Sequence, residues 1–177
     1  MTIKTDAVII GAGPVGLFQA FQLGLQDIRC HIIDALPHVG GQCVELYGDK
    51  PIYDIPGIPL CTGRTLITQL QQQLKPFAPT FHLDQEVVSV TRLASGALEV
   101  HTSTQQHFVC KTLFIAAGVG AFQARKLTIA GAAELENSHV HYRLQETARY
   151  ADQDVWVIGG EDAALTTALT LIHAPSP

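Results

Sequence analysis

The chain has 177 residues, of which 47% are hydrophobic and 15% are charged, and its formal net charge is −5. This length and composition predict a globular protein with one well-buried domain and part of another, and they exclude a disordered chain. The acidic balance argues against binding to nucleic acid, and the short apolar runs predict a cytoplasmic protein without a membrane span or a secretory leader.

The first elements form a strand, helix and strand. The apolar run from Ala7 to Ile10, closed by Gly11, predicts a buried parallel strand. Pro14 fits the first turn of a helix, whose apolar residues recur at helical spacing as far as Leu25. A second strand is predicted from Arg29 to Asp34. The pattern is that of a βαβ unit.

A glycine-rich turn, residues 11–16 (GAGPVG), joins the first strand to this helix. Gly11 permits the tight turn, Gly13 lets a pyrophosphate approach the backbone, and Gly16 lets helix and strand pack closely. The phosphates would lie at the positive end of the helix, where Asp34 can accept hydrogen bonds from ribose hydroxyls. These four residues predict a dinucleotide site, although the turn alone does not say which dinucleotide binds.

A segment dense in glycine and proline follows, over residues 35–63. It is longer than a loop that only links two elements of a compact domain. Its interleaved aromatic and aliphatic residues argue against disorder. We therefore expect it to serve a ligand. The next helix is predicted to begin at Thr65, with Thr62 or Thr65 as its cap, and to end near Lys75 before Pro76.

The hydrophobic period then changes to two residues. The short alternating segments 86–93 (EVVSVTRL), 97–103 (ALEVHTS) and 107–111 (HFVCK) predict an antiparallel meander. The apolar segment 112–118 (TLFIAAG) predicts a separate buried strand that stops at Gly118. A domain boundary is predicted near that glycine.

The last part of the chain repeats the opening pattern. Residues 154–160 (DVWVIGG) align with residues 6–12 and predict a second strand and glycine turn ahead of a helix. A short strand is predicted at residues 139–144 (HVHYRL). The glycine turn is the only internal repeat that we find in the sequence.

The second turn departs from the phosphate-binding pattern at one position. Gly159, Gly160 and Ala164 fit a GxGxxA pattern, but Glu161 stands where a glycine normally lets the pyrophosphate come close. Its charge would oppose a diphosphate by about 1 kcal/mol unless the side chain turns to solvent. Asp162 is the residue that we expect to cap the following helix.

Cysteines and histidines offer no further chemistry. The four cysteines are widely spaced and form no CxxC pair, so buried reduced thiols are expected. His139 and His141 lack a third partner at metal-ligand spacing, which favours a surface pair over a metal site. No catalytic side chain and no metal site are predicted.

Several motifs in order resemble one family. The segments 13–21 (GPVGLFQAF), 40–47 (GGQCVELY) and 52–59 (IYDIPGIP), with the inserted meander and the second turn, resemble the ferredoxin/flavodoxin–NADP⁺ reductases of the thioredoxin-reductase-like type. The resemblance implies an α/β, three-layer Rossmann-like FAD/NAD(P)-binding fold with an inserted antiparallel β-meander. It assigns residues 1–118 to an FAD-binding domain and residues 119–177 to the start of an incomplete NAD(P)-binding domain, so we expect the sequence to be a truncated form of a longer reductase.

The resemblance also implies roles for single residues. Asp34 would bind the adenosine ribose of FAD, Gln42 would lie near the pyrophosphate and flavin, and Tyr47 would lie beside the isoalloxazine ring. Val87 would meet the adenine through its backbone, and Phe122 would pack at the FAD site. Judged by the residues alone, Val87 and Phe122 favour ordinary packing.

The implied cofactors are FAD and NADP. The full-length protein would pass electrons from NADPH through the flavin to ferredoxin or flavodoxin, because neither dithiol pattern of the related disulfide reductases is present. Lys50, Arg64, Arg125 and Lys126 are candidate contacts for an acidic ferredoxin, and a homodimer is compatible with the resemblance. Two alternatives stay open: a non-catalytic FAD-binding fragment, and a thioredoxin-reductase-like flavoprotein with another acceptor.

Overall fold

The structure is a computed structural model that describes residues 2–46, 48–121, 126–142, 144 and 146–173. The chain divides into two compact units, Met1–Phe122 and Gln123–Pro177. The assignment of a separate nucleotide-binding role to each unit stays a prediction.

A six-stranded mixed sheet organises the first unit. Its strands are β1 (Thr2–Ile10), β2 (Cys30–Ile33), β5 (Thr80–His82), β6 (Val87–Arg92), β7 (Leu98–Thr102) and β8 (His107–Ile115). They lie in the order β5-β2-β1-β8-β7-β6. The first four strands in this order are parallel, and β8, β7 and β6 form the predicted antiparallel meander.

Strand β8 differs from its prediction. The segments 107–111 and 112–118 were expected to be the last meander strand and a separate buried strand, but they form one strand, His107–Ile115. This strand pairs antiparallel with β7 at its beginning and parallel with β1 along its length. No glycine or proline separates the two segments, so nothing in the backbone requires a break between them.

The core lies on both faces of the parallel strands. On one face Ile9 and Ile32 pack with Leu17 of helix α1 (Pro14–Gly24) and Ile67 of helix α3 (Gly63–Leu74). On the other face the buried residues are Val8, Ile33, Val100, Phe108 and Cys110. The helices, the parallel strands and the inward side chains of the meander therefore form the three predicted layers.

The glycine-rich segment 35–63 carries short regular elements. These are helix α2 (Gln42–Glu45) and the antiparallel pair of β3 (Pro51–Ile52) and β4 (Cys61–Thr62). Thr62 caps α3, because its Oγ1 accepts a hydrogen bond from the backbone N–H of Thr65 at 3.2 Å. Of the two predicted caps, Thr62 is therefore confirmed, and the helix begins at Gly63 rather than at Thr65. A turn of 3₁₀ helix, Lys75–Phe77, follows α3.

The second unit is mostly irregular. Its described residues contain the helix α4 (Asp162–Ile172), a turn of 3₁₀ helix (Thr147–Tyr150) and one isolated bridge between Glu136 and Val140. The strands predicted at 139–144 and within 154–160 are wrong for the residues that the structure describes. Trp156 is 87% exposed and Ile158 is 71% exposed. An apolar run becomes a strand only when a neighbouring strand pairs with it.

Among the described residues, the structure contains no helix of the length and apolar character needed to cross a membrane.

Candidate nucleotide-binding site

A cavity of about 720 Å³ opens at the carboxyl ends of the parallel strands. The last residues of β1, β2 and β8 (Ile10, Ile33 and Ile115) line it. Five predicted site residues also lie on its wall: Gly11, Gly13, Asp34, Gln42 and Val87. Ligands of open α/β sheets bind at this end of the strands, and the volume suits a cofactor. The binding roles of these residues stay predictions.

Two positions of the glycine turn have no room for a side chain. Gly11 has a φ of +106°, and a Cβ there would collide with the carbonyl oxygen of Ala116. A Cβ on Gly16 would collide with the carbonyl oxygen of Gly11, so a larger residue would separate α1 from β1. Both glycines therefore allow the close packing that the pattern predicted.

Gly13 is different, because nothing in the protein crowds it. Its φ is −74°, and the nearest atom to a Cβ there would be the Cα of Gly41 at 4.0 Å. The space beside Gly13 belongs to the cavity. Among the described residues, no side chain caps α1 and no acidic residue occupies its first turn. The N–H groups at this helix end are therefore available to an anion such as a diphosphate.

Asp34 holds the glycine turn as well as facing the cavity. Its Oδ2 accepts a hydrogen bond from the N–H of Ala12, and its Oδ1 accepts one from the N–H of Leu36 at 2.8 Å. Each carboxylate oxygen has a further lone pair, so both can still accept ribose hydroxyls. The glycine turn and the Asp34 carboxylate thus form one hydrogen-bonded unit.

Gln42 and Cys43 begin α2 on another wall of the cavity. The Gln42 amide nitrogen lies 3.1 Å from the position of a Cβ on Gly118, whose φ is +56°. Burial, and to a smaller extent nearby Cys61, raises the pKa of the Cys43 thiol. Cys43 is therefore a protonated, weakly nucleophilic thiol at neutral pH. All four cysteines are free.

The remaining predicted residues divide into two groups. Val87 begins β6 and lines the cavity, and its contact with adenine stays a prediction. Tyr47 and Phe122 lie outside the described residues. A cavity residue that the sequence did not reveal is Gln85, which is 7% exposed. A single glutamine before a strand carries no pattern that predicts its burial.

The second glycine turn is only partly like the first. A Cβ on Gly159 would lie 2.9 Å from the Cβ of Ala164, so the turn does pack closely on α4. The helix begins at Asp162 and its cap position is Glu161, which makes no capping hydrogen bond. The expected cap at Asp162 is therefore wrong, and Asp162 lies in the first helical turn instead. Glu161 is exposed, as a side chain turned to solvent would be.

This fold and this cavity define a Rossmann-like dinucleotide-binding protein with an inserted meander. The chain belongs to the pyridine nucleotide-disulphide oxidoreductase family, whose model matches residues 48–176. The model of a NAD(P)-binding Rossmann-like domain matches residues 9–58.

Curated relatives agree with the resemblance inferred from the motifs. The chain is 52% identical to a ferredoxin–NADP reductase of Albidiferax ferrireducens over 96% of its own length and 48% of the relative. It is 50% identical to a ferredoxin–NADP reductase of Methylibium petroleiphilum, over 97% of its own length and 47% of the relative. The resemblance is therefore confirmed, and the chain spans about half the length of the curated relatives it matches.

Solved structures agree with the fold. A bacillithiol disulfide reductase from Staphylococcus aureus has a TM-score of 0.67 at 23% identity, covering 98% of this chain and 55% of that one. A thioredoxin reductase from Streptococcus pyogenes has a TM-score of 0.57 at 25% identity, covering 96% of this chain and 52% of that one. The predicted fold class is confirmed.

Proposed function

We propose that this chain is the FAD-binding part of a reductase that passes electrons from NADPH through the flavin to ferredoxin. The observation that carries the proposal is the hydrogen bond from Ala12 to Asp34, which joins the glycine turn to the carboxylate at the end of β2, as binding of a diphosphate and its ribose would require. The names of the relatives support ferredoxin as the acceptor. A cytoplasmic location is part of the same proposal.

The residues of the cavity fit an adenine dinucleotide. Gly13 leaves room beside the free N–H groups of α1, which suits a diphosphate. Asp34 would hold the ribose, and the backbone of Val87 would meet the adenine. Gln42 would lie near the pyrophosphate and flavin; by resemblance, Tyr47 would lie beside the isoalloxazine ring and Phe122 would pack at the FAD site.

The bound flavin would supply hydride acceptance and electron release, chemistry that side chains lack. The chain's own contribution is to bind, orient and shield the dinucleotide. A flavin–dithiol relay is not part of the proposal, because no cysteine follows Cys43 at the five-residue spacing of the disulfide reductases, and the Cys43 thiol stays protonated.

Two of the four candidate contacts for ferredoxin are already paired with carboxylates. Arg64 pairs with Asp49 at 3.1 Å, and Lys126 pairs with Glu136 at 2.8 Å. Each of these candidate cations therefore has a carboxylate that already neutralises it, and Arg125 lies outside the described residues. The proposed acceptor rests on the relatives rather than on a cationic face. Flavodoxin as acceptor and a homodimeric state remain further parts of the proposal.

The test is retention of FAD by the purified chain, measured by flavin fluorescence and gel filtration. The variant Gly13→Val should fold normally, because the backbone at Gly13 is unstrained and its surroundings are open. It should nevertheless bind FAD at least roughly tenfold more weakly, because the added methyl groups occupy the phosphate position. Ala133→Val, at an exposed position in the second unit, is the control.

Two results would refute the proposal. One is a wild-type chain that stays colourless with added FAD and holds it no better than an unrelated nucleotide. The other is a Gly13→Val variant that binds FAD as tightly as the wild type does.

A further inference from the structure

Gln85 is the polar side chain that stands out in the cavity wall. It is 7% exposed and is one of two buried polar or charged residues among those described, the other being Thr102. Burying a carboxamide is unfavourable unless its oxygen and nitrogen both find partners. The hydrogen bonds of Gln85 therefore indicate which of its polar atoms is left for a ligand in the cavity.

The oxygen of the Gln85 carboxamide has a partner. The Thr104 hydroxyl donates to Oε1 at 3.0 Å, and the hydroxyls of Thr104 and Thr102 lie 3.1 Å apart. The N–H of Gln106 donates to the Thr102 hydroxyl at 3.2 Å. The structure places the carboxamide oxygen on the Thr104 side, so the NH₂ group occupies the opposite side.

The NH₂ group of Gln85 has no partner within the described part of the chain. Gln85 lines the cavity, so the cavity is where an acceptor for this group can lie. A donor that opens onto the cavity from an otherwise buried side chain, and that has no protein acceptor, is a feature that a ligand can complete.

The backbone places this donor at the nucleoside end of the cavity. The N–H of Gln85 donates to the carbonyl of Asp34 at 3.1 Å, and the N–H of Asp34 donates to the carbonyl of His82 at 3.0 Å. Val87, proposed to meet the adenine, is two residues further along and lines the same wall. Gln85 thus lies between the ribose carboxylate and the strand that would hold the base.

We infer that Gln85 is a binding and specificity residue for the adenosine half of the dinucleotide, with its carboxamide NH₂ donating to a ring nitrogen or a ribose oxygen of that half. The inference rests on the proposed function, because it requires a dinucleotide in this cavity. The resemblance placed Asp34 on the adenosine ribose and the backbone of Val87 on the adenine. Gln85 would add a further side-chain contact to this half of the cofactor.

The test compares ligands with and without adenosine on the purified 177-residue chain. The variant Gln85→Leu removes the donor at similar size, and its dissociation constant for FAD should rise about tenfold. The affinity for FMN, which lacks the adenosine half, should stay the same, and AMP should compete with FAD more weakly by the same factor. Gln71→Leu makes the same chemical change at an exposed position of α3 and should change none of these values.

A second variant keeps the test decisive if leucine prevents folding. Gln85→Glu has nearly the same shape and still accepts the Thr104 hydroxyl, so it should fold. It replaces the donor with a negative charge close to Asp34, so it should lower FAD affinity by more than leucine does. Thermal unfolding of each variant without ligand separates a binding effect from a stability effect.

The outcomes distinguish this inference from the proposed function. If wild-type protein does not bind FAD, the proposed function fails. If wild-type protein binds FAD and the folded variants bind FAD and AMP equally well, the inference alone is overturned. A loss of the same size for FAD and FMN would also overturn it, because that result indicates a structural role in the cavity wall.

Discussion

Asp34 has a structural role in holding the glycine turn and a proposed role in binding ribose. The stability of a ligand-free variant measures the structural role alone. Its carboxylate accepts two backbone N–H groups and also faces the cavity. Asp34→Asn would turn an NH₂ group toward one of those two donors and leave it without an acceptor. We expect the free energy of unfolding to fall by about 1–3 kcal/mol even without ligand. Urea unfolding of the ligand-free chain measures this loss.

The matched control is Asp84→Asn. Asp84 is exposed and has a φ of +55°, which asparagine tolerates well. Its stability and its FAD affinity should match those of the wild type. If Asp34→Asn unfolds at the same urea concentration as Asp84→Asn, then the bonds to Ala12 and Leu36 contribute nothing to stability, and the view of one hydrogen-bonded unit is wrong.

Strands β2 and β5 are joined by an imidazole pair as well as by their backbones. The Nδ1 of His31 and the Nε2 of His82 lie 2.8 Å apart, so one nitrogen must donate and the other must accept. Burial lowers the pKa of both groups; for His31 the neighbouring His82 lowers it further, and for His82 the nearby Gln106 side chain partly opposes the shift. The pair is therefore stable with both imidazoles neutral.

A pH dependence of stability follows from this pair. Below about pH 6.5 the unfolded chain binds protons at both histidines while the folded chain resists them, so stability falls as the pH decreases. The free energy of unfolding should drop between about pH 7.5 and pH 5. The drop should be smaller in His82→Gln than in the wild type, while His139→Gln, an exposed control, should keep the full drop. Equal slopes in all three proteins would contradict the role of the pair.

Elements with strong local signals could be predicted from the sequence. The first βαβ unit, the meander and the Thr62 cap each depend on neighbouring residues, such as the glycine turn or the alternation along β6 and β7. Strand β5 has only three residues and was missed, because its pairing with β2 is a tertiary contact. Residues 155–158 have the composition of a strand, but a strand also requires a partner, which composition does not encode.

The candidate site divides in the same way. Gly11, Gly13, Gly16 and Asp34 could be predicted because their spacing reflects one local strand–turn–helix geometry. Gln42 and Val87 came from a family resemblance, since nothing in their own neighbourhood marks them. Gln85 could not be predicted because its side-chain partner, Thr104, is a tertiary contact from the hairpin between β7 and β8.

For the whole molecule, FAD binding and reduction by NADPH are separable properties. The described residues that line the cavity all belong to the first unit, so we expect the 177-residue chain to bind FAD. The second glycine turn follows an exposed, unpaired segment in the described part of the second unit. Glu161 stands at the position where a glycine normally lets the pyrophosphate come close. NADPH should therefore find no ordered site on this chain.

The measurement is the visible absorbance of the FAD-loaded chain under anaerobic conditions. Dithionite, a small chemical reductant, should bleach the flavin, because it needs no nucleotide site. NADPH should leave the absorbance unchanged, and Glu161→Gly should not restore bleaching, because removing one charge does not supply the missing strand pairing. Bleaching by NADPH in the wild type would show that the second unit already orders around the nucleotide. Bleaching only in Glu161→Gly would show that the carboxylate, rather than the unpaired segment 154–158, is the obstacle.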